Sequence, residues 1–221
     1  MLVKTNEDGG IRLDCTNSEI IPGPTQRIDA FIKSDEEKIH LIEKHFKEIM
    51  YTLGLDLEND SLKGTPRRVA QMYVCDMFFG LNPDNRPDMT LFENTYSYDQ
   101  MLIEKNITVF SSCEHHFVPI VGKAHVAYIP SGKIIGLSKI NRIVDYCARR
   151  PQVQERLTVE IAVELQNSLD TKDVAVVIDA AHLCVSSRGI RDTQSSTYTS
   201  FFDGKFRNEE KKNEFLAALK S

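Results

Sequence analysis

The run ITVFSSCEHHFVPIVGKAHVAYIP, residues 107–130, decides the fold. Its first part, ITVFSS (107–112), and its last, KAHVAYIP (123–130), are rich in β-branched and aromatic residues and alternate along the chain. They read as neighbouring antiparallel strands. Working outward, DVAVVIDAAHLCV (173–185) is a nearly continuous apolar run, the pattern of a buried strand, and SSTYTSFF (195–202) is another. Between the strand pairs lie two helices in tandem. One covers 138–149; the other follows Pro151, with Val153, Leu157, Ile161, Leu165 and Leu169 forming its apolar stripe. NEEKKNEFLAALK (208–220) predicts a C-terminal helix. Strand pairs separated by a helix pair indicate an α+β fold with an antiparallel sheet, not a βαβ wrap.

Upstream, Ser34 and Glu37 make a capping box, and Ile39, Ile42, Phe46, Ile49, Met50 and Leu53 recur at helical spacing up to Gly54. A second helix is predicted from Thr65 as N-cap and Pro66 as first helical residue, running through Val69, Met72, Tyr73 and Phe78 to Gly80. Residues 81–100 read as a Pro- and Asn-rich connection. Residues 1–34, polar and punctuated by Gly9-Gly10 and Pro22-Gly23-Pro24, read as a flexible N-terminal arm. The expected division is therefore an arm over 1–34, a helical region over 35–100 and a catalytic unit over 101–221.

Composition narrows the function classes. Hydrophobic residues are 41% of the 221 and charged residues 27%, which excludes a wholly disordered chain. The net charge of −5 argues against broad nucleic-acid binding, so any anionic ligand must be held by a local cluster. No stretch approaches the ~20 apolar residues of a membrane helix, and the N-terminus lacks a secretory apolar core. Five cysteines, at 15, 75, 113, 147 and 184, form no framework spacing; a reducing, cytoplasmic setting with free or metal-bound thiols is expected.

Three constellations carry chemistry. In Cys113-Glu114-His115-His116, a tight turn lets Cys113 and His116 address one metal ion, while His182 and Cys184, two apart on a strand, share a face. Cys113, His116 and Cys184 would give Zn²⁺ three protein ligands and leave a position for water, the arrangement of a catalytic zinc, with His115 and His182 beside it for proton transfer. The competing reading is a structural site closed by one of those two histidines. Second, Ser138, Lys139 and Arg142 open a helix, Ser138 as N-cap, and Arg188 follows Cys184; these suit phosphate, or else form a solvated charged face. A P-loop motif is lacking, so bound phosphates would be a handle and not the bond cleaved. Third, Gln154-Glu155 lies just inside a helix, where a carboxylate can accept from the N1–H and amine of guanine or simply complement the helix dipole.

Taken together, SSCEHHFVPIVGKAHVAYIP, GLSKINRIVDYCARRPQVQERLT and DAAHLCVSSRGIRD closely resemble the GTP cyclohydrolase I family, over about residues 35–220. The resemblance implies the tunnelling fold: a four-stranded antiparallel sheet with two helices on one side, here preceded by N-terminal helices. It implies zinc on Cys113, His116 and Cys184, catalysis by His115 and His182, guanine contacts from Gln154 and Glu155, and phosphate contacts from Ser138, Lys139, Arg142 and Arg188. Arg68, in GTPRRVAQMYV, matches a residue that reaches the triphosphate from a neighbouring subunit. One departure stands out: where many members carry Lys, this chain has Gln71. The implied reaction converts GTP to 7,8-dihydroneopterin triphosphate and formate in a toroidal homodecamer, the first step of pterin and folate-type biosynthesis. The rival expectation is a non-catalytic nucleotide-binding module with a structural zinc.

Overall fold

The computed structural model describes residues 26–27 and 29–220, together with the backbone of two short strands, β1 (Val3–Thr5) and β2 (Ile11–Leu13), which pair antiparallel. The arm expected over 1–34 falls largely outside the described residues. The first helix, α1 (Asp35–Thr52), has the capping box: Ser34 accepts from the Glu37 backbone N–H, and the Glu37 carboxylate accepts from the Ser34 N–H. Gly54, at φ +80°, closes the end.

The next helix, α2 (Thr65–Gln71), starts one residue earlier than expected: Gly64 is its N-cap, Pro66 lies in the first turn, and Thr65 Oγ1 accepts from Arg68 at 2.7 Å. Past Gln71 the regular helix gives way to a π-helical turn (Met72–Met77) and a 3₁₀ turn (Phe79–Leu81). The cause is Gly80. Its N–H donates to Arg149 O at 3.0 Å, and a Cβ there would stand 2.2 Å from Tyr146 O, so the chain is drawn closer to the following layer than any other residue allows. Part of the presumed connection is also ordered: β3 (Leu91–Glu93) pairs with β6 (Lys133–Ile135). Three residues are too few to show a period.

The main sheet runs β7-β4-β5-β8-β9. Four long strands, β4 (Leu102–Cys113), β5 (Pro119–Tyr128), β8 (Val174–His182) and β9 (Thr197–Phe202), are mutually antiparallel, as expected. Two residues of β7 (Pro151–Gln152) add a parallel contact to the end of β4. The helix pair α3 (Leu137–Ala148) and α4 (Gln154–Leu169) covers one face, which is the α+β tunnelling-fold arrangement. Period-two alternation in β8 explains its apolar run, because both faces are covered. Val174, Val176, Ile178 and Ala180 join the cluster beneath α3 and α4, whereas Ala175 and Val177 join Ala127, Ile129, Phe206 and Phe215. Phe215 lies on the C-terminal helix α6 (Glu209–Leu219), so this helix caps the opposite face. Burying Phe206 and Phe215 contributes about 1.5–3 kcal/mol each.

This topology sorts the chemistry by position. β4 ends at Cys113 and β8 ends at His182, on the same margin of the sheet, since Ser112 pairs with Pro119 and Ile120 with His182. α3 runs from beyond the other ends of the strands back towards that margin. Its 12 residues span about 18 Å.

Candidate active site

The hairpin between β4 and β5 is the first component. Phe117 N–H donates to Cys113 O at 2.8 Å, Cys113 N–H to Val118 O at 2.9 Å, and Phe117 sits in the left-handed region at φ +53°. The strand therefore stops at Cys113, as the Cys-x-x-His reading requires, and the Cys113 Sγ to His116 Nδ1 distance is 3.7 Å. The second component departs from expectation. β8 ends at His182, and Cys184 lies in a single helical turn, α5 (Leu183–Ser186), closed by Ser187 N–H to Leu183 O. The turn separates two side chains that a continuing strand would have kept on one face. Cys184 swings toward Cys113, while His182 Nε2 meets Gln154 Oε1 at 2.8 Å.

The ligating atoms of Cys113, His116 and Cys184 all lie within 4.8 Å of one another, so this group could hold a metal ion. The donor set suits it. A tetrahedral ion with ordinary zinc–sulfur and zinc–nitrogen bonds needs an S···N edge of about 3.6 Å. Burial, then the neighbouring Cys113 thiol, raises the pKa of Cys184. His115, largely exposed, places Nδ1 3.9 Å from Cys113 Sγ and Nε2 3.7 Å from the Glu114 carboxylate. Burial lowers the pKa of His182, and the charge of Glu155 partly opposes it. Glu155 itself is exposed in the first turn of α4.

Three supports brace the group, and of these the sequence signalled only Arg188, which follows Cys184. Arg156, on α4, ion-pairs with Glu114 and also donates to Gln152 Oε1 at 2.9 Å and Pro151 O at 3.1 Å, fastening the β4–β5 hairpin to the helix. Arg188 Nη1 lies 2.9 Å from His116 Nε2, next to the ligand group. Aromatic contacts add a third: Phe117 packs edge-on against Phe78 and Tyr73, tying the hairpin to the π-helical turn that continues α2.

The remaining expected residues are not gathered there. Ser138 is not the N-cap of α3: Gly136 is, and Ser138 and Lys139 lie in the first turn, with Arg142 exposed one turn on. They stand at the opposite end of α3 from the ligand group, because the helix's last residues adjoin Pro151 and Gln152, which pair with Ser112 and Cys113. Arg68 is exposed on α2 and donates to Ser61 O at 3.1 Å. Gln71 is exposed at the end of that helix, and neighbouring Arg67 is engaged by Glu36 and Glu43 of α1. Gln154 is buried, its amide bonded to protein on both sides. A cleft of 560 Å³ between α1, the π-helical turn and residues 26–27 and 29–33 contains none of the expected site residues.

Comparison with known proteins bears on this geometry. A sequence model of the GTP cyclohydrolase I family matches residues 42–220. A GTP cyclohydrolase 1 of Flavobacterium johnsoniae is 61% identical over 194 residues, 88% of this chain and 87% of that protein. The GTP cyclohydrolase 1 of Aeromonas hydrophila is 53% identical over 84% of this chain and 85% of its own length. That of Vibrio vulnificus is 54% identical over 85% and 87%.

Proposed function

The chain belongs to the GTP cyclohydrolase I family, and from that premise we propose that it hydrolyses GTP at C8, yielding 7,8-dihydroneopterin triphosphate and formate at a zinc site formed by Cys113, His116 and Cys184. One observation carries this reading: two sulfurs and an imidazole converge within 4.8 Å, with His115 Nδ1 3.9 Å from Cys113 Sγ and His182 two residues before Cys184 at the end of β8. When bound, Zn²⁺ supplies the Lewis acidity that makes water nucleophilic near neutral pH.

The chain's own residues do the rest. Glu155 accepts from N1–H and the exocyclic amine of guanine, a pairing adenine cannot offer, and so fixes C8 in place. His115, largely exposed, gives a proton to the imidazole-ring nitrogen as water adds to C8 and the ring opens to a formamide. A second water releases formate. His182 exchanges protons during the ribose opening and rearrangement that follow, and closure of the pterin ring expels one water, so one water is consumed overall.

Ser138, Lys139, Arg142 and Arg188 bind the triphosphate, with Arg68 contributing from its own helix. The separation of α3's first turn from the ligand group supports a site shared between copies, each lending its α3 start to a neighbour's metal-binding hairpin. A homo-oligomer, decameric by analogy with the family, is thus part of the proposal. Residues 101–221 supply the catalytic unit and 35–100 the helical region packed against it, although the β3–β6 ladder crosses that division.

The test is direct. Zinc-replete, assembled protein incubated with GTP should release formate and develop pterin absorbance in equal amounts. Recovery of unchanged GTP, the result expected of a binding module with a structural zinc, would overturn the assignment. So would formation of GDP and phosphate.

A further inference from the structure

Gln154 stands beside Glu155 in the sequence, yet its side chain is 1% exposed and fully committed within the protein. Its Nε2 lies 2.7 Å from Thr197 O, 3.2 Å from Ile178 O and 3.0 Å from Thr199 Oγ1. Two of these are carbonyls that only accept, so the amide nitrogen must face them and the oxygen must face His182. The hydroxyls agree. Thr158 Oγ1 donates its single proton to the main-chain O of Gln154 at 2.9 Å, so at 2.7 Å it accepts from Thr199, whose oxygen then shares one of the two amide protons with a carbonyl in a three-centre bond and offers none in return. Every proton in the chain has one direction, and at its end Gln154 Oε1 can only accept from His182 Nε2.

From this network we infer that Gln154 is a positioning residue for His182: it fixes the neutral imidazole as the Nε2–H form and leaves Nδ1 as the nitrogen that takes and returns protons. The inference rests on the cyclohydrolase reading for what those protons serve. It reassigns Gln154 from guanine contact to orienting group, and explains why a polar residue is tolerated between the helix layer and the sheet: β8 supplies Ile178 O and His182, and β9 supplies Thr197 O and Thr199 Oγ1. The logic is that of a buried acceptor selecting an imidazole tautomer, with the amide in place of the usual carboxylate.

The experiment compares Gln154→Met and Gln154→Asn with wild type on two substrates, GTP and inosine triphosphate, which lacks the exocyclic amine. An orienting role predicts kcat lower by about 10- to 100-fold on both, KM within about twofold, and an unchanged ratio of kcat/KM between the substrates. A raised KM for GTP with a collapsed substrate ratio would return Gln154 to the guanine edge and overturn the inference, as would unchanged kcat. Glu155→Gln, by contrast, should collapse the ratio. Solid-state ¹⁵N spectra of histidine-labelled wild-type protein, with His182 identified by difference from His182→Asn, decide the point without folding of a Gln154 variant. A protonated Nε2 and bare Nδ1 support the inference; the reverse overturns it. Wild-type protein that leaves GTP intact while showing the Nε2–H form would sink the functional reading and spare the orientation.

Discussion

Replacing Arg156 with Met should loosen the β4–β5 hairpin by a calculable amount. Arg156 pairs with Glu114 and lies 3.7 Å from Glu160, with side-chain exposures of 20%, 28% and 4% for the three residues. Fully exposed pairs are worth about 0–1 kcal/mol, and removal of one partner from a fully buried pair costs about 3–5 kcal/mol. Arg156 lies between these limits, nearer the buried one, and its loss also strips donors from Gln152 Oε1 and Pro151 O. A destabilisation of about 2–4 kcal/mol follows. At ~2.1 cal/mol/K per residue, 221 residues give an unfolding entropy of about 0.46 kcal/mol/K, so Tm should fall by roughly 4–9 °C. Calorimetry of metal-free Arg156→Met, Glu114→Gln and the double variant would measure it, with a coupling of about 1–3 kcal/mol expected between the two sites. Metal affinity, by competition with a chelator, should drop about 10- to 100-fold because Glu114 adjoins Cys113, one of the three proposed ligands. A Tm within 1 °C of wild type, at roughly unchanged metal affinity, would refute the reasoning.

Three further outcomes are expected. Gln71→Lys should lower the KM for GTP by about three- to tenfold through one added phosphate contact; an unchanged KM in steady-state assays would count against a triphosphate passing α2. Burial, reinforced by the charge of Lys105, holds the His125 pKa below 6.5, and Nδ1 accepts from Asn106 N–H. The unfolded chain therefore binds the extra proton first: this stability is present above pH 6.5 and lost as pH falls through the depressed folded value. Urea midpoints should drop between pH 7.5 and 5.5 in wild type and by less in His125→Gln; equal drops would contradict this. Cys147 is buried and its thiol pKa is pushed far up by burial, so alkylation of the native protein followed by mass spectrometry should modify exposed Cys75, reach Cys113 and Cys184 only after chelation, and spare Cys147 throughout.

Much of this was legible in the sequence because it was local. The capping box at Ser34 and Glu37, the alternation in 123–130 and the doubly buried run of β8 each follow from side chains a few residues apart. What escaped depends on distant partners. The close approach of Gly80, just past the π-helical turn, to Arg149 and Tyr146 is made with residues about 70 positions away, and no pattern within 65–80 encodes it. Cys184 entered the correct group for a partly wrong reason, since a helical turn and not strand alternation carries it there. The burial of Gln154 and the clamp of Arg156 on Glu114 are likewise contacts between elements. Long polar side chains at a helix start look alike in a sequence, and only packing distinguishes the one facing solvent, Glu155, from those turned inward.

The most direct test of the account is X-ray absorption at the zinc edge of the loaded protein. Two sulfurs, one imidazole nitrogen and one exchangeable light atom are predicted around each ion, with one ion per chain. A sphere closed by a fourth side chain, unchanged on adding GTP, would contradict it.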